Sequence, residues 1–390
     1  MSPRTQSVIT NIGAVVAVAV IALAIFLLAE APAPTLDFPI ATSTLQTAAA
    51  TGPEATVPTS TPPVVPPAPA PKPKPRAKAP VSAPPENTNA PTGSEVTRIQ
   101  NPYPFPPESF SVVNERARAA LVNILCAPRA GGLRPISGSG VIIDPRGVIL
   151  TNAHVAQYVL LSQSPRIDLK CVIRSGSPAV ALWSAETLYV PPVWVREHAA
   201  DIVASEPKGT GEHDYALLRI TGTVDGTVAP TTLSSLPPDT REAIGFLDDQ
   251  VLVASYPAEF IGSIAAQFNL YPVSSVTTIQ DLLTFGTNTV DTLSLGGIIA
   301  AQSGSSGGAV VNAWGRLVGV ITTTSEGATT AARDLHAITL SYINRDLMAQ
   351  AQRDLATILG GDIAAEAADF NTNAAPALTQ LLIEQITKGR

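Results

Sequence analysis

The chain has 390 residues, 36 of them proline; 14% are charged and the net charge is −7. That balance excludes the basic surface a nucleic-acid binder needs, and two cysteines with four scattered histidines exclude a zinc ribbon, a disulfide-dense scaffold or a structural metal. Twenty-one of the prolines fall between Pro32 and Pro107, so that stretch is not a packed domain.

No residue from Thr5 to Ala29 is charged, and Ile12 to Ala29 is an almost unbroken apolar run. At about 1.5 Å per residue it covers roughly 27 Å, the depth of a bilayer core. With Arg4 before it and Glu30 and Asp37 after, it is expected to place residues 1–7 in the cytoplasm, span the cell membrane once over 8–29 and carry the rest outside. The competing reading is a cleaved signal peptide, although Pro32 and Pro34 follow the small-residue cleavage candidates directly and suit a peptidase poorly.

Residues 30–107 are expected to be a disordered spacer, with polyproline II in the stretch from Pro62 to Pro80. Lys72, Lys74, Arg76 and Lys78 make it locally basic; they solvate the linker, or alternatively contact acidic polymers of the cell envelope.

From Phe110 the composition changes to short Val/Ile/Leu/Thr runs broken by Gly, Pro, Asn and Asp, which predicts an all-β sandwich or barrel pair. Apolar spacing predicts a terminal helix over 341–359, closed by Gly360 and Gly361, and a second helical run over 376–387. Cys126 and Cys171 fall in strands on either side of the first motif below; outside the membrane they are free to pair, the alternative being two buried thiols.

Three motifs carry chemistry. Gly138 to Val155 reads as strand, turn and strand, delivering His154 to the strand end. In His213 to Ile220, Asp214 opens an apolar strand, and in Ser303 to Val311, Ser306 sits among Gly304, Gly307 and Gly308 just before a strand. A serine hydroxyl is a weak nucleophile at neutral pH; it needs an imidazole to take its proton and a carboxylate to fix that ring. Glycines around it allow a turn whose N–H groups converge on one point, an oxyanion hole. Each motif alone is more often structural, but their order on a β chain is that of the double-barrel serine peptidases.

The sequence resembles the trypsin-like (chymotrypsin-fold) serine peptidases, and its His motif is most similar to the bacterial HtrA/Deg type. The likeness covers 108–345, leaving 346–390 as a C-terminal helical tail too short for that family's PDZ domain. It implies two six-stranded antiparallel β-barrels with His154 as general base, Asp214 as orienter and Ser306 as nucleophile. The Gly304 and Ser306 N–H groups are the implied oxyanion donors; no cofactor is implied. Secreted trypsins carry Asp immediately before the nucleophile, to receive a freed N-terminus; Ser305 stands there, so activation by N-terminal cleavage is not expected.

By the same resemblance the residue six before the nucleophile, Ala300, lies at the base of the pocket for the side chain preceding the scissile bond. Ala301 is beside it, and Thr322, Thr323 and Thr324 line the wall. No Asp or Glu occurs from Thr292 to Val320, leaving Glu326 the one nearby carboxylate, so cleavage after small or medium apolar residues is expected. The substrates would be peptides or unfolded proteins. The rival reading is a catalytically silent binding module displayed at the cell surface.

Overall fold

The computed structural model describes residues 101–129, 133–204, 209–242, 244–258, 268–286, 288–324, 329 and 332–389. The expected anchor, the spacer before residue 101 and Glu326 lie outside them. Among the described residues no helix is long and apolar enough to cross a membrane.

Helix α1 (Phe110–Ala120) leads into strands β1 (Leu121–Pro128), β2 (Ile136–Asp144), β3 (Val148–Thr151), β4 (Leu169–Ser175), β5 (Val180–Tyr189) and β6 (Ala216–Thr223). They close into an antiparallel barrel in the order β1-β2-β3-β6-β5-β4. Strands β1, β2, β3 and β6 read as apolar runs because both faces are covered, and alternate residues feed different cores. Leu121, Val141, Leu150 and Leu217 join one cluster, whereas Val122, Ile142, Ile149 and Leu218 join another. Cys126 and Cys171 face each other across the β1–β4 ladder and form a disulfide with Cα atoms 4.1 Å apart.

The second half comprises β7 (Gln250–Ser255), β8 (Val273–Thr278), β9 (Asp281–Leu283), β10 (Thr292–Ser294), β11 (Ala309–Asn312), β12 (Leu317–Thr324) and β13 (Leu335–Thr339). The expected closed six-stranded barrel is instead a seven-stranded sheet in the order β8-β7-β11-β12-β13-β10-β9. Its two edge strands are consecutive in the chain, parted only by Ile279 and Gln280. There the ladder is interrupted: Ile279 exchanges backbone bonds with Asp248 and Asp249, and the Gln280 N–H turns to the Ser294 carbonyl. One bent strand thus serves β7 with its first half and β10 with its second.

Between the two halves, Val141, Leu150 and Leu217 pack in one cluster with Leu252, Ala309, Val320 and Ile338. The helix expected over 341–359 is broken in two, α4 (Leu340–Ala351) and α5 (Leu355–Gly360). Gln352 takes the left-handed conformation (φ 57°), and Asp354 caps α5 by accepting from the Thr357 N–H. Helix α6 (Ile363–Asn373), capped by Asp362, was not legible; α7 (Ala375–Lys388) matches the second expected run. These last helices are no loose tail. Phe370, Leu378, Leu382 and Ile386 share a core with Trp194 and Val195 of helix α3 (Pro192–His198), with Ile202 and with the first barrel.

Candidate active site

Strand β3 ends at Thr151, Asn152 is extended, and helix α2 (Ala153–Ser162) begins one residue later. His154 therefore lies in the first turn of a helix rather than at the end of a strand. First-turn N–H groups have no partner inside their own helix, and the His154 N–H donates to Asp214 Oδ1 at 3.0 Å. The imidazole Nδ1 lies 2.8 Å from the same carboxylate's Oδ2. Asp214 thus caps α2 and aligns the ring at once. Asn152 holds the Asp214 backbone, its amide donating to the carbonyl at 2.8 Å.

Asp214 is buried and takes a further donor, the Thr322 hydroxyl, at 2.8 Å. Burial alone would raise its pKa, but the His154 charge and the bonds from His154 and Thr322 outweigh this and hold it below the usual carboxylate range. The complementary balance acts on His154: burial would lower its pKa, and the charge and hydrogen bond of Asp214 raise it above that of an ordinary imidazole. The ring's side chain is still 36% exposed, so its other edge is open to solvent.

Ser306 stands in the turn before β11. Its hydroxyl donates to the Thr322 carbonyl at 3.4 Å; among the described residues it makes no hydrogen bond to His154. Thr322 therefore touches the triad candidates from two sides, Asp214 through its hydroxyl and Ser306 through its carbonyl. In the Ser306 turn the N–H groups alternate in use. Those of Ser305, Gly307 and Gly308 donate to Gln302, Ile321 and Ser305 at 3.1, 2.8 and 2.9 Å, while among the described residues those of Gly304 and Ser306 have no acceptor. The left-handed backbone at Gly304 (φ 93°) and Gly307 (φ 86°) makes this alternation possible. Two free donors two residues apart fit a developing oxyanion.

The first barrel reaches this turn through Ser139. Its N–H donates to the Ser306 carbonyl at 2.7 Å. Its hydroxyl donates to the Gly304 carbonyl and accepts from the Tyr256 N–H, both at 2.8 Å. Ser305 is buried and accepts from the Ser255 hydroxyl at 3.0 Å.

Of the expected pocket residues, Ala300 and Ala301 are fully buried against the core of the second sheet. The structure gives Thr322 a part other than lining a pocket, because its side chain is buried and bonded to Asp214. Thr323 and Thr324 continue β12, where the ladder to β13 bulges between Ile321 and Thr324. Charge comes closer than expected: the Arg333 guanidinium donates to the Ala301 carbonyl at 3.0 Å, and Asp334 accepts from Ser294 and from the Gly296 N–H. Ser139, Asn152 and Thr322 were missed as supports. Ser139 and Asn152 lie inside the Gly138 to Val155 motif, which is the signal that could have found them; Thr322 had none. Among the described residues no cluster could hold a metal ion.

No curated protein matches the chain. A family model described as the trypsin-like peptidase domain matches residues 138–320, from within β2 to within β12. That interval includes His154, Asp214 and Ser306, and residues 138–320 of this chain are a trypsin-like peptidase domain.

Proposed function

We propose that the protein is a membrane-anchored, extracytoplasmic serine endopeptidase that works through an acyl-enzyme. The observation that carries this reading is the bonding around Thr322: His154 on Asp214, 60 residues apart, Asp214 on Thr322, 108 apart, and Ser306 on Thr322. Ser306 Oγ, turned from the Thr322 carbonyl towards His154 Nε2, attacks the scissile carbonyl as His154 takes its proton. Asp214 stabilises the imidazolium, and the Gly304 and Ser306 N–H groups hold the oxyanion. The imidazolium then gives its proton to the leaving amine. Water, activated by the same imidazole, hydrolyses the ester and returns Ser306 to its free hydroxyl.

The resting bond from Ser306 to Thr322 favours a second reading, a silent peptidase fold that binds without cutting. A fluorophosphonate probe decides between the two: stoichiometric labelling at Ser306 is expected, and absence of labelling would leave the binding module.

The proposed anchor is the uncharged run from Thr5 to Ala29, with the Pro-rich spacer holding the enzyme off the membrane and its basic stretch free to meet envelope polymers. Protease added to intact cells or spheroplasts is then expected to digest the catalytic domain, and protection would reverse the topology.

Cleavage is proposed to follow Ala, Val, Ile or Leu, with Ala300 at the pocket base and the substrate backbone pairing with Thr323 and Thr324. A peptide-library profile tests this. Preference for Lys or Arg would bring Glu326 into the pocket, and preference for Asp or Glu would assign Arg333 to it.

A further inference from the structure

The residues on either side of Asp214 share one partner. The His213 Nδ1 and the Tyr215 hydroxyl both lie 2.9 Å from Asp346 Oδ2. The side chains of His213 and Tyr215 turn to Asp346 while that of Asp214 between them turns to His154, so Asp346 grips the segment that presents Asp214 to His154. The grip is made by helix α4, which lies outside the matched peptidase domain.

Three further observations make this a built device. His213 is held at φ 57°, an uncommon conformation for a residue with a side chain, next to a tight turn in which the Tyr215 N–H donates to the His213 carbonyl at 2.9 Å. The His213 N–H donates to the Tyr342 hydroxyl at 2.9 Å, a second tie to α4. Asp346 itself is buried, and both donors meet the same oxygen, Oδ2. We propose that Asp346 is a positioning residue for the triad, fixing the Asp214 carboxylate on His154 by clamping His213 and Tyr215; this rests on the serine peptidase reading.

The hydrogen bond to Asp346, working against burial, raises the His213 pKa, which favours the charged imidazole at the clamp. The other groups facing His213 are the Glu212 carboxylate 3.8 Å from Nε2, the Tyr342 hydroxyl, and Glu197 at longer range. On the far side of the clamp, Tyr189 stacks on Tyr215, whose own ionisation is pushed well up by burial.

The test compares full-length Asp346→Asn and Tyr215→Phe with the unaltered protein, normalising rates to fluorophosphonate-titrated sites. A loosened Asp214 no longer sustains the raised His154 pKa. The acidic limb of kcat/KM is therefore expected to move to lower pH in both variants. In Asp346→Asn, kcat is expected to fall by up to the order of 10²-fold, the scale of a 1 Å misplacement, with KM little changed. A purely structural role would lower the number of titratable sites and leave the limb in place, and that result overturns the proposal. If Asp346→Asn does not fold, Tyr215→Phe decides alone. If the unaltered protein neither hydrolyses peptides nor takes the probe, it is the peptidase reading that fails. The clamp is then read from the downfield proton resonance of the His154 Nδ1–H bonded to Asp214: its loss in the variants supports the clamp, and its persistence unchanged refutes it.

Discussion

Ser306→Ala is expected to abolish peptide hydrolysis and fluorophosphonate labelling while leaving the unfolding midpoint near that of the unaltered protein. The Ser306 hydroxyl makes one long bond, 3.4 Å to the Thr322 carbonyl, so its removal should cost no more than about 1 kcal/mol of stability. Activity has no substitute for it. His154→Ala removes the base and should be equally inactive, and it also exposes Asp214, a buried carboxylate that loses its countercharge. Asp214→Asn is the informative intermediate. With its oxygen kept on the His154 N–H, an amide puts its NH₂ group in the place of Oδ2, where it meets the ring nitrogen as a donor and fixes the wrong tautomer; turnover should fall on the order of 10⁴-fold. The acidic limb of kcat/KM, which reports loss of the His154 proton, should lie above the ordinary imidazole range in the unaltered enzyme and move down in Asp214→Asn, because the charge that raises that pKa is gone. Full activity in Ser306→Ala would sink the assignment.

The candidate site was legible because its chemistry is written locally. His154, Asp214 and Ser306 each sit in a short motif beside a strand of the folded chain, β3, β6 and β11. The residues that hold them were not, because their roles exist only across long separations. The bond from Thr322 to Asp214 spans 108 positions and that from Tyr215 to Asp346 spans 131, and a threonine in a β run or an aspartate in a helix looks the same whether or not it meets such a partner. The fold shows the same division. Short apolar runs broken by turn residues predict strands β1 to β3, but whether β8 and β9 form one strand or two depends on Ile279 bonding to Asp248 and Asp249. Apolar spacing carries a helix through 341–359, and nothing about Gln352 announces a left-handed residue. There the Asn344 side chain, accepting from the Leu355 N–H at 2.9 Å, helps fasten the new helix start to the old one.

Gly307→Ala is expected to cost about 3 to 4 kcal/mol of stability and to remove most fluorophosphonate labelling, although no triad candidate is altered. A left-handed backbone at φ 86° costs an alanine about 1 to 2 kcal/mol by itself. The larger obstacle is space, since a Cβ at Gly307 would stand 2.0 Å from the Ser139 carbonyl oxygen and 2.5 Å from the Thr151 hydroxyl. Neither neighbour can swing aside as the end of a flexible side chain would. Ser139 is bonded through its N–H to the Ser306 carbonyl, and its own carbonyl accepts from Thr151 at 2.7 Å. Relieving the overlap therefore breaks bonds worth about 1 kcal/mol each and drags the Gly304 carbonyl, which Ser139 also holds, out of line with the free N–H groups. Gly226→Ala is the internal control. Gly226 has nearly the same backbone, φ 85°, but nothing within 4 Å of its added methyl, so it should show the conformational cost alone and full labelling. Denaturant midpoints and labelling rates of the two variants separate strain from collision; equal losses in both would mean that the Ser139 contact does not shape the turn around Ser306.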